Sequence, residues 1–331
     1  MRDKIEIFCS KIGNNPLITQ AAGGNVSWKE KNKLFIKASG TWLADAGNKN
    51  IFAEIRLDTI KDNILNGDFS IPSSAILSKN NKPSIETTMH AILPQKIVVH
   101  VHAVNIVAIL IRKNSNEIVK NILKDSYKFS LIEYCQPGAV LAKAMDLDIQ
   151  QNGVKDVYFL KNHGIVIAND SLKEIEKLLD RILTSFSNYI HKDIPSPSFK
   201  KQNLDNSEYL KINSNELTEI LNNKKFLQFF MQNPILTPDQ LIFLGRNPIN
   251  MFSYKDFYEN KIKKNIEFFY VEDYGFFCSK SISESLVAQI QCLASLIIRQ
   301  DELADIVTLS NSDVQDLLSM DSEKYRFSIA K

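Results

Sequence analysis

The sequence predicts an α/β protein, and three observations carry that expectation. The stretch Ile97 to Asn105, IVVHVHAVN, is an apolar strand interrupted by two imidazoles two residues apart. Val157–Leu160 and Ile165–Ala168 read as buried strands around the tight, glycine-marked turn Lys161–Gly164, and a capped helix follows them. The same strand–turn–strand–helix order returns at Phe268–Val271 and Gly275–Cys278.

Taken in chain order, Ala21 to Ser27 (AAGGNVS) is a glycine turn entering a strand, Lys29 to Asn32 a polar turn, and Leu34 to Lys37 a second strand leading into Ala38-Ser39-Gly40-Thr41. Backbone N–H groups freed by glycines, beside Asn and Ser side chains, suit a phosphate or other anion, although any hairpin uses the same residue types. In SIETTMHAILP, Ser84 is expected to cap a short helix and Pro94 to stop it, while Ile85, Met89, Ile92 and Leu93 form its apolar stripe. Glu86 falls in the first turn, where the helix dipole favours a carboxylate by roughly 0.3–1 kcal/mol. Because this helix feeds into the histidine strand, Glu86 is also within reach of whatever the histidines hold. His90, one turn on, is expected to pack or support rather than to ligate.

Ser171 with Glu174 predicts a capping box on a helix running to about His191, whose polar end leaves that histidine solvated. Asp193 to Ser198 (DIPSPS) and the polar run to Glu208 read as a linker. The segment to about Asn250 is expected to be mostly helical, with a turn at ILTPDQ. After the second strand pair, Ser281 with Glu284 predicts another capped helix to about Leu303, with Leu286, Ile290, Leu293 and Ile297 on its packing face. The resulting division is an N-terminal domain over 1–192, a linker over 193–209 and a C-terminal α/β lobe over 210–331. In that lobe Tyr274 stands where His163 stands in the first unit, and no histidine pair accompanies it. The lobe is therefore expected to shape or close the site, with changes there shifting selectivity and leaving metal binding alone. Independent recurrence of a common unit explains the echo as well as shared descent does.

Composition bounds the function classes. Among 331 residues, 44% are hydrophobic and 24% charged, as in an ordinary soluble globule. Forty basic against 38 acidic residues leave a net charge of +2, and the lysines are dispersed, which argues against a nucleic-acid partner. No apolar span of membrane length and no signal peptide are evident, so the expected location is the cytoplasm, without a membrane partner. Cys9, Cys135, Cys278 and Cys292 lack paired spacing and are expected as free thiols.

Side chains alternate across a strand, so His100 and His102 share one face. Two imidazoles held this way are two-thirds of the His₃ set of a catalytic zinc, with His163 on its sharp turn as the third. An HxH pair alone also fits histidines that merely pack or hydrogen-bond.

The ordered motifs GGNVS (Gly23–Ser27), KASGTWLADA (Lys37–Ala46), PSIETTMHAILP (Pro83–Pro94), VVHVHAVN (Val98–Asn105), IEYCQPGAVLAKA (Ile132–Ala144) and LKNHGIVIA (Leu160–Ala168) resemble those of the class II aldolase/adducin family. They are most similar to the aldolase half of bifunctional rhamnulose-phosphate aldolase/dehydrogenase proteins. The match spans roughly the first 190 residues, with a weaker echo from Pro234 to Asp239 onward. The resemblance implies a three-layer α/β/α fold around a largely antiparallel sheet, assembled as a homotetramer with active sites between subunits. It further implies His100, His102 and His163 as ligands of Zn²⁺ or another divalent metal such as Mn²⁺, Co²⁺ or Fe²⁺, with Glu86 as the acid/base carboxylate. Asn25, Ser39, Gly40 and Ser84 match phosphate-pocket positions, and Tyr134 a proton donor reaching a neighbouring subunit, although an ordinary packed tyrosine fits that position equally. Ile85 replaces a serine that fuculose-phosphate aldolases place before the glutamate, leaving the pocket one hydroxyl poorer.

The expected function is a divalent-metal-dependent lyase performing retro-aldol cleavage of a small sugar or sugar-phosphate ketose through a metal-stabilised enediolate, with partial burial raising the pKa of Glu86. Dehydration or epimerisation on the same site is the alternative. A non-catalytic, adducin-like interaction protein is the alternative of another class, and such proteins are expected to lack the metal histidines.

Overall fold

The computed structural model describes residues 1–321, apart from 125–126, 191–193, 204–207, 260 and 264. The expected solvation of His191 therefore lies outside the described residues.

The first unit holds strands β1 (Asn25–Glu30), β2 (Lys33–Lys37), β3 (Phe52–Arg56), β4 (Ile97–Val101), β5 (Phe129–Ile132), β6 (Val157–Leu160) and β7 (Gly164–Asn169). Its helices are α1 (Arg2–Gly13), α2 (Leu57–Leu65), α3 (Thr87–Ile92), α4 (Val104–Leu110), α5 (Ser115–Leu123), α6 (Ala139–Asn152) and α7 (Leu172–Ile190). The strands form one sheet in the order β3-β2-β1-β4-β7-β6-β5. Every residue of β4 and β6 is buried, as in strands covered on both faces. Val99 and Val101 of β4 face a core built with Ile5 and Phe8 of α1 and Ile175, Leu179 and Phe186 of α7. Val98 faces the opposite layer, with Met89 of α3 and Leu141 and Met145 of α6. The sheet is mixed: five of its six strand pairings are antiparallel and one is parallel. β5 runs parallel to β6, because α6 carries the chain back between them.

The second unit holds β8 (Lys200–Asn203), β9 (Tyr209–Asn213), β10 (Asn250–Phe252), β11 (Phe268–Val271) and β12 (Gly275–Ser279) in a sheet ordered β10-β11-β12-β9-β8. Around it lie α8 (Asn215–Asn222), α9 (Lys224–Met231), α10 (Pro238–Leu244), α11 (Tyr254–Tyr258), α12 (Glu284–Ile298) and α13 (Asn311–Ser319). β8 falls inside the stretch expected to be a linker. Its four residues, all exposed and polar, edge the sheet and carry no alternating apolar signal. Ser283, rather than Ser281, caps α12 by accepting from Leu286 N–H. That helix ends at Ile298 and is buried nearly all round instead of along one stripe, with Cys292, Ala294, Leu296 and Ile298 inside as well as Ile290, Leu293 and Ile297.

Among the elements that cover it, with α8, α9 and α10, is α4, which directly follows the histidine strand. Its Ile106, Ile109 and Leu110 belong to the first core, while Val104, Val107 and Ala108 pack with Leu293, Leu296 and Ile297 of α12 in a second. One helix thus serves both cores. Asn105 is the polar exception, and its Oδ1 accepts from Arg299 Nε at 2.6 Å. Among the described residues no helix is long and apolar enough to cross a membrane, and all four cysteines are unpaired.

Candidate metal centre and active site

The sheet register assembles the site. β1 pairs with β4 so that Asn25 lies opposite His100, and β4 pairs with β7 so that His100 lies opposite Val166. The strand ends at Val101, leaving His102 just past it, and the β6–β7 turn brings His163 alongside. That turn holds Asn162 at a left-handed φ of 53°. Gly164 begins β7 because a Cβ there would lie 2.4 Å from the Val101 carbonyl and about 3 Å from the His102 and His100 rings.

The three rings converge. His100 Nε2 lies 3.0 Å from His102 Nε2 and 3.3 Å from His163 Nε2. Tetrahedral zinc with Zn–N bonds of about 2.0–2.1 Å has ligand–ligand edges of about 3.3 Å. His100 Nδ1–H donates to the Ile165 carbonyl at 3.0 Å, so its Nε2 presents a lone pair. Asp239 Oδ2 stands 3.1 Å from His102 Nδ1, at ion-pair distance, and favours the proton on that nitrogen. Two Nε2 lone pairs 3.0 Å apart repel unless a cation lies between them, a proton in the free site or a metal in a loaded one. The donor set therefore fits a divalent metal.

Glu86 faces the same point, with Oε2 3.5 Å from His100 Nε2 and Oε1 3.5 Å from His163 Nε2. Asn25 Nδ2 donates to Glu86 Oε2 at 2.7 Å and fixes the carboxylate. Burial pushes the His100 imidazole below its ordinary value and that of His163 down to about 3, against the pull of Glu86, which keeps both rings neutral as ligands must be. Glu86 is pulled both ways. Burial, the largest influence, pushes its pKa up as expected, while the Asn25 amide and any positive charge on the facing imidazoles pull it below the ordinary carboxylate value. With the rings neutral, the Asn25 hydrogen bond persists and a metal ion would supply the missing positive charge.

Glu86 itself occupies the cap position of α3, which starts at Thr87. Ser84 is thus not the helix cap expected of it; its Oγ instead accepts from Glu86 N–H and Asn25 Nδ2, both at 3.3 Å. His90 is buried and shares a 2.7 Å hydrogen bond with Ser27 through Nδ1, so it supports the β1 side of the site.

Asn25, Ser39, Gly40, Ser84 and Glu86 line one cleft with His102. Lys37 lines it too, its buried Nζ donating to the carbonyls of Ala22 and Thr41 at 2.7 Å. Tyr134 lies elsewhere, packed with Leu241, Leu309, Val314 and Leu317 beneath α13. Two residues escaped the sequence reading. Lys37 sat inside a quoted motif without an assigned role, and Asp239 sat in the ILTPDQ turn. The contact from Asp239 to His102 brings the C-terminal lobe up to the candidate ligands.

The chain is 27% identical over 199 residues to the "Uncharacterized oxidoreductase YuxG" of Bacillus subtilis, covering 55% of this chain and 28% of that protein, so it spans little more than a quarter of that relative's length. The N-terminal class II aldolase domain of a conserved protein from Thermoplasma acidophilum superposes with a TM-score of 0.50 at 25% identity, over 57% of this chain and 93% of that one. A sugar-phosphate aldolase from Thermotoga maritima gives a TM-score of 0.45 at 16% identity, over 59% and 99% of the respective chains. Residues 8–189, which contain every candidate ligand, match the family described as Class II Aldolase and Adducin N-terminal domain, and the chain belongs to that family.

Proposed function

We propose that the protein is a divalent-metal-dependent lyase that cleaves a small ketose or ketose phosphate by a retro-aldol reaction. The observation that carries this reading is the convergence of three imidazole Nε2 atoms with the Glu86 carboxylate 3.5 Å from two of them. In this reading His100, His102 and His163 hold the ion. When bound, Zn²⁺ or a similar metal would polarise the substrate carbonyl and offset the negative charge left when the carbon–carbon bond breaks.

The rest is the work of side chains. Cleavage removes the proton from the hydroxyl β to the carbonyl, breaks the bond between the α and β carbons and returns a proton to the α carbon. Glu86, oriented by Asn25, moves the proton at the α carbon. Tyr134, expected to serve the aldehyde-side oxygen across a subunit boundary, is given no step, because its side chain packs beneath α13 with its hydroxyl buried. Ser39, Gly40 and Ser84, with the Lys37 ammonium behind them, hold the anionic end of the substrate. A homotetramer in the cytoplasm and domain limits near 192 and 210 complete the proposal; the molar mass in solution tests the assembly.

The deciding experiment is metal content together with product analysis across ketose phosphates, unphosphorylated ketoses and sugar acids. Aldehyde and ketone fragments in equal amounts support the lyase. Loss of water or an inverted centre moves the assignment to dehydratase or epimerase. Absence of both metal and turnover favours an adducin-like interaction protein.

A further inference from the structure

We infer that Asp239, from outside the family-matched residues, is a positioning residue for the metal centre. It holds the proton on His102 Nδ1 and so turns the Nε2 lone pair of that ring toward the ion, a role that rests on the metal-site reading above. The carboxylate is buried, 4% exposed, with Oδ2 3.1 Å from Nδ1 and on the side of the ring away from His100. Its place is set locally. Thr237 caps α10 by accepting from Gln240 N–H, Pro238 starts the helix, and Asp239 follows in its first turn.

The surroundings are shaped around this contact. A Cβ on Gly23 would come within 2.6 Å of Asp239 Oδ2 and 2.8 Å of His102 Nδ1, so only a glycine lets the β1 approach close over the pair. The same lobe also grips the turn bearing His163. Asn162 Nδ2 donates to the Leu236 carbonyl at 3.0 Å and to the Val307 carbonyl at 2.8 Å. Two of the three candidate ligands are therefore held from the C-terminal lobe, and the lobe is part of the metal centre's supporting shell. A carboxylate behind a ligating imidazole fixes its tautomer and raises its basicity.

The test uses the full chain, with Zn²⁺ affinity measured by competition against a chromogenic chelator and the unfolding midpoint of the metal-free protein measured beside it. Asp239→Asn is expected to weaken Zn²⁺ binding about 10–100-fold while moving the metal-free midpoint little, with Asp239→Glu recovering part of the loss. Equal affinity in wild type and Asp239→Asn overturns the inference and leaves the metal site standing. Failure of the wild type to take up stoichiometric Zn²⁺, or wild-type affinity in His163→Ala, overturns the metal site itself. If Asp239→Asn does not fold, nitrogen NMR of histidine-labelled, Zn²⁺-loaded wild type decides. A proton on Nδ1 of His102 supports the inference, and metal on that nitrogen overturns it.

Discussion

The hairpins β6–β7 and β11–β12 are closed alike up to the glycine, whose φ is positive at Gly275 but not at Gly164. Leu160 pairs with Gly164 in one, Val271 with Gly275 in the other. Asn162 and Asp273 both take left-handed φ values, 53° and 63°, and the next residue donates back to the strand end, His163 N–H to Leu160 at 3.2 Å and Tyr274 N–H to Val271 at 3.0 Å. A long helix follows each. Yet His163 is buried against two other imidazoles, whereas Tyr274 is 44% exposed and stacks on Tyr254 at 4.2 Å. The two turns are closed by the same hydrogen bond, and the neighbouring strands differ. β7 lies beside β4 with its histidines, β12 beside β9 with Leu210 and Lys211. A turn can present a group; a site needs partners in register next to it.

The sharpest way to break this comparison is to exchange the presented groups. His163→Ala is expected to abolish stoichiometric Zn²⁺ binding, since two imidazoles make a poor site, while Tyr274→Ala leaves metal content at the wild-type level. Metal analysis of the purified variants reads both, and undiminished metal in His163→Ala would end the third-ligand assignment.

Glu86→Gln asks whether the site completed by the first hairpin serves chemistry or packing. Turnover is expected to fall roughly 10²–10⁴-fold with metal and fold retained, because the amide keeps the shape and removes the base. Unfolding without an isolable active-site defect would return Glu86 to the helix-dipole explanation.

The hairpin glycines sharpen the contrast. Gly164→Ala drives a methyl into the Val101 carbonyl and the imidazoles, so both the unfolding midpoint and metal affinity should drop. Gly275→Ala meets nothing nearer than 3.7 Å, but its φ of +103° strains any side chain. We expect about 1–3 kcal/mol of destabilisation there, with metal binding untouched. Denaturant titration with and without Zn²⁺ separates the two.

The smallest effect is expected at the Tyr254–Tyr274 stack. Losing a partly exposed aromatic pair through Tyr274→Ala should lower stability by roughly 0.5–1.5 kcal/mol, measured as a shift in denaturant midpoint. A larger loss would mean that the second turn organises more of its lobe than its surface position implies.

Much of the site was legible because it is local. The spacing of His100 and His102 follows from strand alternation, and the glycine after His163 announces a turn. Glu86 was found through its place at the head of a short helix, but the opposing pulls on its pKa, from Asn25 and the converging rings, were not legible. Asp239 was illegible for a different reason. Nothing in ILTPDQ says that α10 brings Asp239 to His102, and a contact made by two packed units leaves no period in either sequence. β8 was missed because an exposed polar edge strand has no apolar face to alternate.

The two-sided burial of α4 has an evolutionary consequence. A module that recombination can move must carry its own sealed interior, and here Val104, Val107 and Ala108 would face water if the second lobe were exchanged for an unrelated one. The histidine strand runs straight into that helix. Any ancestral graft at this junction had to be followed by repacking beside the candidate ligands, so the two units of this chain are bound to change together.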